Sequence, residues 1–170
     1  MAARWTNGRK VSFMVFEFGQ YTVDVDVART REFYRNARRI DQYCHCDGCR
    51  NYVRAVDTFP ENVLTIFSDL GIDPKKTPEM WVNDSNRHGL LLYHGFYHLC
   101  GTILSGVSAY QPQWDDKFTF HITQKFYLSF EERCDLLEAG FPLPAIQMEL
   151  DAEIPWVLEK SIQDISFNWR

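Results

Sequence analysis

Six residues, Cys44-His45-Cys46-Asp47-Gly48-Cys49, hold three of the chain's five cysteines. A thiolate sulfur is a soft metal ligand, a nucleophile and an electron carrier, while a buried thiol behaves as a small apolar group. Cys46 and Cys49 stand at the C-x-x-C spacing that lets two thiolates meet one ion at about 2.3 Å with a turn between them. Gly48 suits that turn, because it tolerates positive φ. Cys44 offers a third sulfur. His98 and Cys100 are the candidates for the remaining donors: they are two apart in an expected strand and so point to one face. His94 joins that face unless Gly95 introduces a bulge. Two or three of Cys44, Cys46 and Cys49, taken with His98 and Cys100, would make a closed tetrahedral zinc site. Such a site is structural, with no coordination position left for water, and would staple a helical segment to a sheet. The reading rests on residues 44–49 meeting residues 98–100 in the fold.

Other chemistry for the same sulfurs is weaker. A helix N-terminus at Cys46 or Cys49 would favour a thiolate and hence a redox or nucleophilic role. The thioredoxin-type motif, however, follows a strand in a βαβ unit, and here the preceding segment, 29–40, reads as a helix. Cys100 with His98, or Cys134 with His121, would need an imidazole within hydrogen-bond reach and an oxyanion hole, and no nucleophile signature accompanies either pair. Asp24 and Asp26 read as the solvated polar face of an alternating strand, and Asp115-Asp116 as a solvated turn after Trp114. Arg31, Arg35, Arg38 and Arg39 read as an exposed helix face, and no glycine-rich phosphate loop is present.

The elements that must position the cysteines follow from periodicity. Val11 to Phe18 and Tyr21 to Val27 read as strands of a hairpin across Gly19-Gln20. Thr30 is the expected N-cap of a helix running to about Ile40, with Phe33, Ala37 and Ile40 on its apolar stripe. A second helix begins near Cys49 and carries Tyr52, Val53 and Val56. A third follows Pro60, with Val63, Ile66, Phe67 and Leu70 on one face and Gly71 as its terminating residue. Strands are expected at 80–83, 90–104, 117–126 and 145–154, with Gly95 and Gly101 as bulges or points of close approach. The aromatics Phe96, Tyr97, Trp114, Phe118, Phe120, Phe126 and Tyr127 belong mainly to the core. The prediction is a single α+β domain over 1–170: an antiparallel sheet with an N-terminal hairpin and a helical insert, about 29–72, packed on it.

The chain has 170 residues, 45% of them apolar and 15% aromatic, enough to bury a substantial core. Its net charge of −5 argues against nucleic acid as a partner, although residues 1–60 carry +3 and the remainder −8. The N-terminus has no apolar stretch of a secretory signal, and no segment reaches the ~18 apolar residues of a membrane span. A cytoplasmic protein is expected, whose reducing surroundings favour metal or redox roles for clustered cysteines over disulfides.

The segments C-x-C-x-x-C-R-N-Y at 44–52, L-G-I-D-P-K-K at 70–76, G-F-Y-H-L-C-G-T-I-L at 95–104 and I-P-W-V-L at 154–158 together resemble a group of uncharacterised bacterial proteins, over roughly Tyr21 to Leu158. The resemblance implies a bacterial origin and carries no activity or site residue across. The resulting expectation is a small binding protein rather than an enzyme, stabilised by structural zinc and engaging a protein partner, for example as an immunity or accessory protein. The alternative is a thiol- or metal-dependent enzyme using the Cys44–Cys49 cluster.

Overall fold

A computed structural model describes residues 3–6, 9–85, 89–107 and 118–161. The chain builds β1 (Ala3–Thr6), β2 (Arg9–Phe18), β3 (Tyr21–Asp26), α1 (Val27–Asn36), α2 (Asp47–Ala55), α3 (Glu61–Leu70), β4 (Glu79–Ser85), β5 (Leu90–Ser105), β6 (Phe120–Thr123), β7 (Phe126–Glu131) and β8 (Ala145–Pro155). Among the described residues the strands form one antiparallel sheet in the order β1-β2-β3-β5-β8-β7-β6, with β4 also on β5. This is the α+β architecture expected: an N-terminal hairpin, then helices laid on a sheet. No helix among the described residues is long and apolar enough to cross a membrane.

β5 is the spine. It pairs with β8 without interruption from Leu90 to Cys100, so Gly95 makes no bulge there and the pleat alternates strictly. On its other side β4 covers residues 91–96 and β3 covers 101–105. Gly95 and Gly101 are points of close approach instead. A Cβ at Gly101 would lie 2.2 Å from Asp24 O, and one at Gly95 2.5 Å from Glu79 O.

Between β4 and β3, residues 97–100 have no strand neighbour on that side among the described residues, and side-chain hydroxyls supply the missing bonds. Tyr34 Oη donates to His98 O at 3.1 Å and accepts from His98 N at 3.0 Å. Cys100 N donates to Thr30 Oγ1 at 3.0 Å, and Thr77 Oγ1 donates to the neighbouring Phe96 O at 2.7 Å. Buried backbone polar groups must be paired, and α1 satisfies them in place of a strand.

Thr30 is therefore not the N-cap of α1. Asp26, the last residue of β3, accepts from Arg29 N at 3.1 Å, and the helix starts directly from the strand. A carboxylate in hydrogen-bond reach of free N–H groups outcompetes a hydroxyl further along. Asp26 is accordingly buried rather than part of a solvated strand face. α1 ends at Asn36, where Ala37 turns extended, and Ile40 anchors a separate short turn. Gly71 closes α3 at φ 80°, with Ile72 N bonding back to Phe67 O at 2.8 Å, as expected of that cap.

The strand expected at 117–126 spans β6, a turn at Gln124-Lys125 and the first residue of β7, so a hairpin stands where one strand was expected. Both arms keep the same apolar phase, Phe120 and Ile122 before the turn and Phe126 and Leu128 after it, with the exposed Gln124 between. Lys117, Trp114 and the Asp115-Asp116 turn lie outside the described residues. Phe96, Tyr97 and Phe126 are buried, as the core assignment requires.

Candidate metal centre

The odd-numbered residues of β5 face α2 and α3. Tyr93 Oη donates to Gly48 O at 2.9 Å, Tyr97 Oη bonds to Tyr52 Oη and Pro74 O, and the Tyr97 ring packs edge-on against Phe67. Asn51 on α2 is fully buried and completes the attachment. Its Nδ2 reaches Tyr93 Oη and Pro155 O, both at 3.1 Å, and its Oδ1 accepts from Val157 N at 2.7 Å. α2 is thereby tied to β5 and to the chain leaving β8. Asp47 adds an ion pair to Lys160 at 2.9 Å.

This scaffold holds the first turn of α2, and the cysteines sit on it. Cys46 is the N-cap: its Sγ accepts from Cys49 N at 3.3 Å, the role usually filled by a side-chain oxygen. Cys44 follows the short turn at Ile40–Gln42, and Cys44 Sγ is 3.4 Å from Cys46 Sγ. Cys49 is one helical turn along, 2% exposed, with its Sγ 3.7 Å from Met80 O of β4. The three sulfurs lie within 4.8 Å of one another and could hold a metal ion. Cys44 and Cys46, half-buried, stand in the wall of a pocket of about 730 Å³ that also includes His45, Met80, Trp81 and Leu136.

The electrostatics of the trio come from the sulfurs themselves. The Cys46 thiol is pushed down to about 5, chiefly by a hydrogen bond from the Cys49 thiol, against the opposing effect of burial and with help from Cys49 N–H and Cys44. Cys49 is pushed up by that same bond and by burial. Among the three sulfurs the hydrogen bonds thus favour Cys46 as the anionic one. The contacts that lower Cys46 are hydrogen bonds, not cations.

His98 and Cys100 stand outside this group. They are even-numbered residues of β5, on the face turned away from α2. His98 Nε2–H donates to Asp135 O at 2.9 Å, and its ring packs against Phe96 and Phe141. Burial lowers its basicity. Cys100 is fully buried and its thiol is pushed up to about 11 by desolvation; Cys134 is raised to about 11 in the same way. Both are tuned opposite to an activated nucleophile.

His94 shares the His98 face, as the unbroken pleat requires. Its Nδ1 is 2.6 Å from Asp151 Oδ1 and its Nε2 3.1 Å from Glu149 Oε2, and its ring packs on Trp81 at 4.6 Å. Burial pulls its pKa down, but the two carboxylates outweigh it and raise it to about 9.

Residues that sequence reasoning missed are Asn51, Met80, Trp81 and Leu136. Asn51 had a readable signal, an amide on the apolar side of a short helix beside Tyr52 and Val53. The other three come from distant segments, and only the pairing of β4 with β5 and the path of the 132–144 segment bring them to the thiols. No family model, curated protein or solved structure matches the chain.

Proposed function

We propose that this protein acts by binding, and that its working centre is a thiophilic metal ion, zinc first among them, held by Cys44, Cys46 and Cys49. The observation that carries the reading is the convergence of three thiols within 4.8 Å on a helix N-terminus that already favours sulfur as an anion. Three thiolates around a divalent ion leave a net charge of −1, which the Cys49 N–H and the positive end of α2 help to bear. Three protein sulfurs are one short of the four donors of a closed zinc site, and all three line a pocket that also includes Trp81 and Met80. That is the donor count of an open zinc site rather than the closed structural one expected from the sequence. The ion would supply Lewis acidity or a docking point for a soft donor, while the chain's own residues shape the pocket and exclude water.

The test is elemental mass spectrometry on protein purified without chelator, with zinc affinity then measured by competition. About one zinc per chain is expected. Cys44→Ser and Cys46→Ser should each weaken binding by more than the roughly 10–100-fold typical of outer-shell changes, with the far-ultraviolet circular dichroism unchanged. A folded protein that takes up no zinc, or binds it equally well after either substitution, overturns the reading.

A further inference from the structure

We propose that Cys44 and Cys46 form an oxidisable pair: a hydroperoxide joins them in a disulfide and leaves Cys49 a thiol. All three sulfurs line the pocket and touch one another, and exposure separates them into a reachable pair and a buried third. Cys44 Sγ already donates to Cys46 Sγ at 3.4 Å, and both side chains are half-buried in the pocket wall. Cys49 is 2% exposed, and its Sγ sits 3.7 Å from Met80 O. An oxidant arriving through the pocket meets the pair first. The lining includes Ile40, Met80, Trp81 and Leu136 beside His45 and Glu79, and its apolar part favours a small uncharged oxidant over a charged one.

The step balances without further partners. Cys46 sulfur attacks the distal peroxide oxygen, the O–O bond breaks, and an alcohol or water leaves. Cys46 becomes a sulfenic acid. Cys44 sulfur then attacks Cys46 sulfur, the S–S bond forms, and water departs. Two thiols are oxidised by two electrons, and one hydroperoxide is reduced. Resting on the metal reading above, the same step removes two of the three sulfurs from the ion, so oxidation empties the centre. This second consequence makes the site a peroxide-controlled metal store.

The experiment treats full-length protein, metal-free and zinc-loaded, with hydrogen peroxide. Remaining thiols are alkylated, and the chain is cut on the N-terminal side of aspartate. Cleavage before Asp41, Asp47 and Asp57 puts Cys44 and Cys46 on one peptide and Cys49 on the next. The expected product is a disulfide within the first peptide and an alkylated Cys49 on the second. Cys44→Ser should lower disulfide yield at least about tenfold and leave Cys46 as a trappable sulfenic acid. A cross-link between the two peptides, over-oxidation without any disulfide, or no reaction overturns the proposal. The metal-free arm decides the pairing even if zinc never binds. The loaded arm reads release, at one ion per disulfide, and disulfide without release overturns only the control of the metal.

Discussion

Two clusters of titratable groups flank Trp81, and they are balanced in different ways. His94, on one side, is charged, and its counter-ions are built in: Asp151 and Glu149 each meet a ring nitrogen. The thiol trio, on the other, lowers Cys46 with hydrogen bonds, and no cation among the described residues takes part in that lowering. A cluster that is internally neutralised stabilises a fold and asks nothing of the solvent. A cluster that concentrates anionic sulfur without a counter-ion is unfinished until a cation arrives. That contrast separates a structural group from a candidate binding centre more sharply than residue type does, since both clusters contain familiar metal-binding side chains.

Several substitutions should sharpen the contrast. The largest effect belongs to the scaffold under the thiols. Asn51→Ala leaves a fully buried site without the acceptor of Val157 N and the donor to Pro155 O and Tyr93 Oη, although Tyr93 keeps its bond to Gly48 O, and should cost about 1–3 kcal/mol. Denaturant unfolding would read that loss, and zinc competition should show a further fall of about tenfold as the first turn of α2 loosens. A stable Asn51→Ala protein with unchanged affinity would break the link between scaffold and site.

A smaller effect is expected at the neutralised cluster, and it depends on pH. The folded-state pKa of His94 is raised to about 9, above its ordinary 6.5. Its stabilisation is fully present below about pH 6.5 and is lost as the pH rises through 9. With a quarter of the side chain exposed, the contribution is about 2 kcal/mol after allowance for solvent screening. Melting curves of the wild type and His94→Gln should differ clearly at pH 6 and converge by pH 10. A constant gap would show that the carboxylates do not act through the imidazolium. The smallest effect is a null one: Cys100→Ala, on the far face of β5, should leave zinc affinity within about twofold, close to the scatter expected of distant, independent sites. A large loss would return Cys100 to the ligand set.

Much of this architecture could be read from the residues. The period of two in Tyr21–Asp26, the i, i+3, i+4 spacing in Val63, Ile66 and Phe67, and the cap at Gly71 are local signals, and each produced its element. The errors have local competitors. Asp26 displaced Thr30 as a cap because a strand ran straight into a helix. The Gln124-Lys125 turn carries neither glycine nor proline, so one strand was read through it to Phe126 and the rest of β7 was missed. Within the candidate centre, the C-x-C-x-x-C spacing was enough to converge the three sulfurs, since a cap and one helical turn do the work. The grouping of His98 with them depended on which face of β5 looks toward α2. That is decided by Tyr93 and Tyr97 meeting the helices, a fact of packing that no short window of sequence contains.

The hydroxyl seam between β3 and β4 carries a consequence for how the molecule comes apart. Thr30, Tyr34 and Thr77 reach residues 96–100 of β5 from 70, 64 and 19 positions away in the chain. The central strand cannot complete its bonding until α1 and the turn before β4 have docked, and α1 cannot leave without stripping that strand. Sheet and helical segment should therefore melt as one cooperative unit, with amides of α1 and β5 exchanging with solvent at the same global rate.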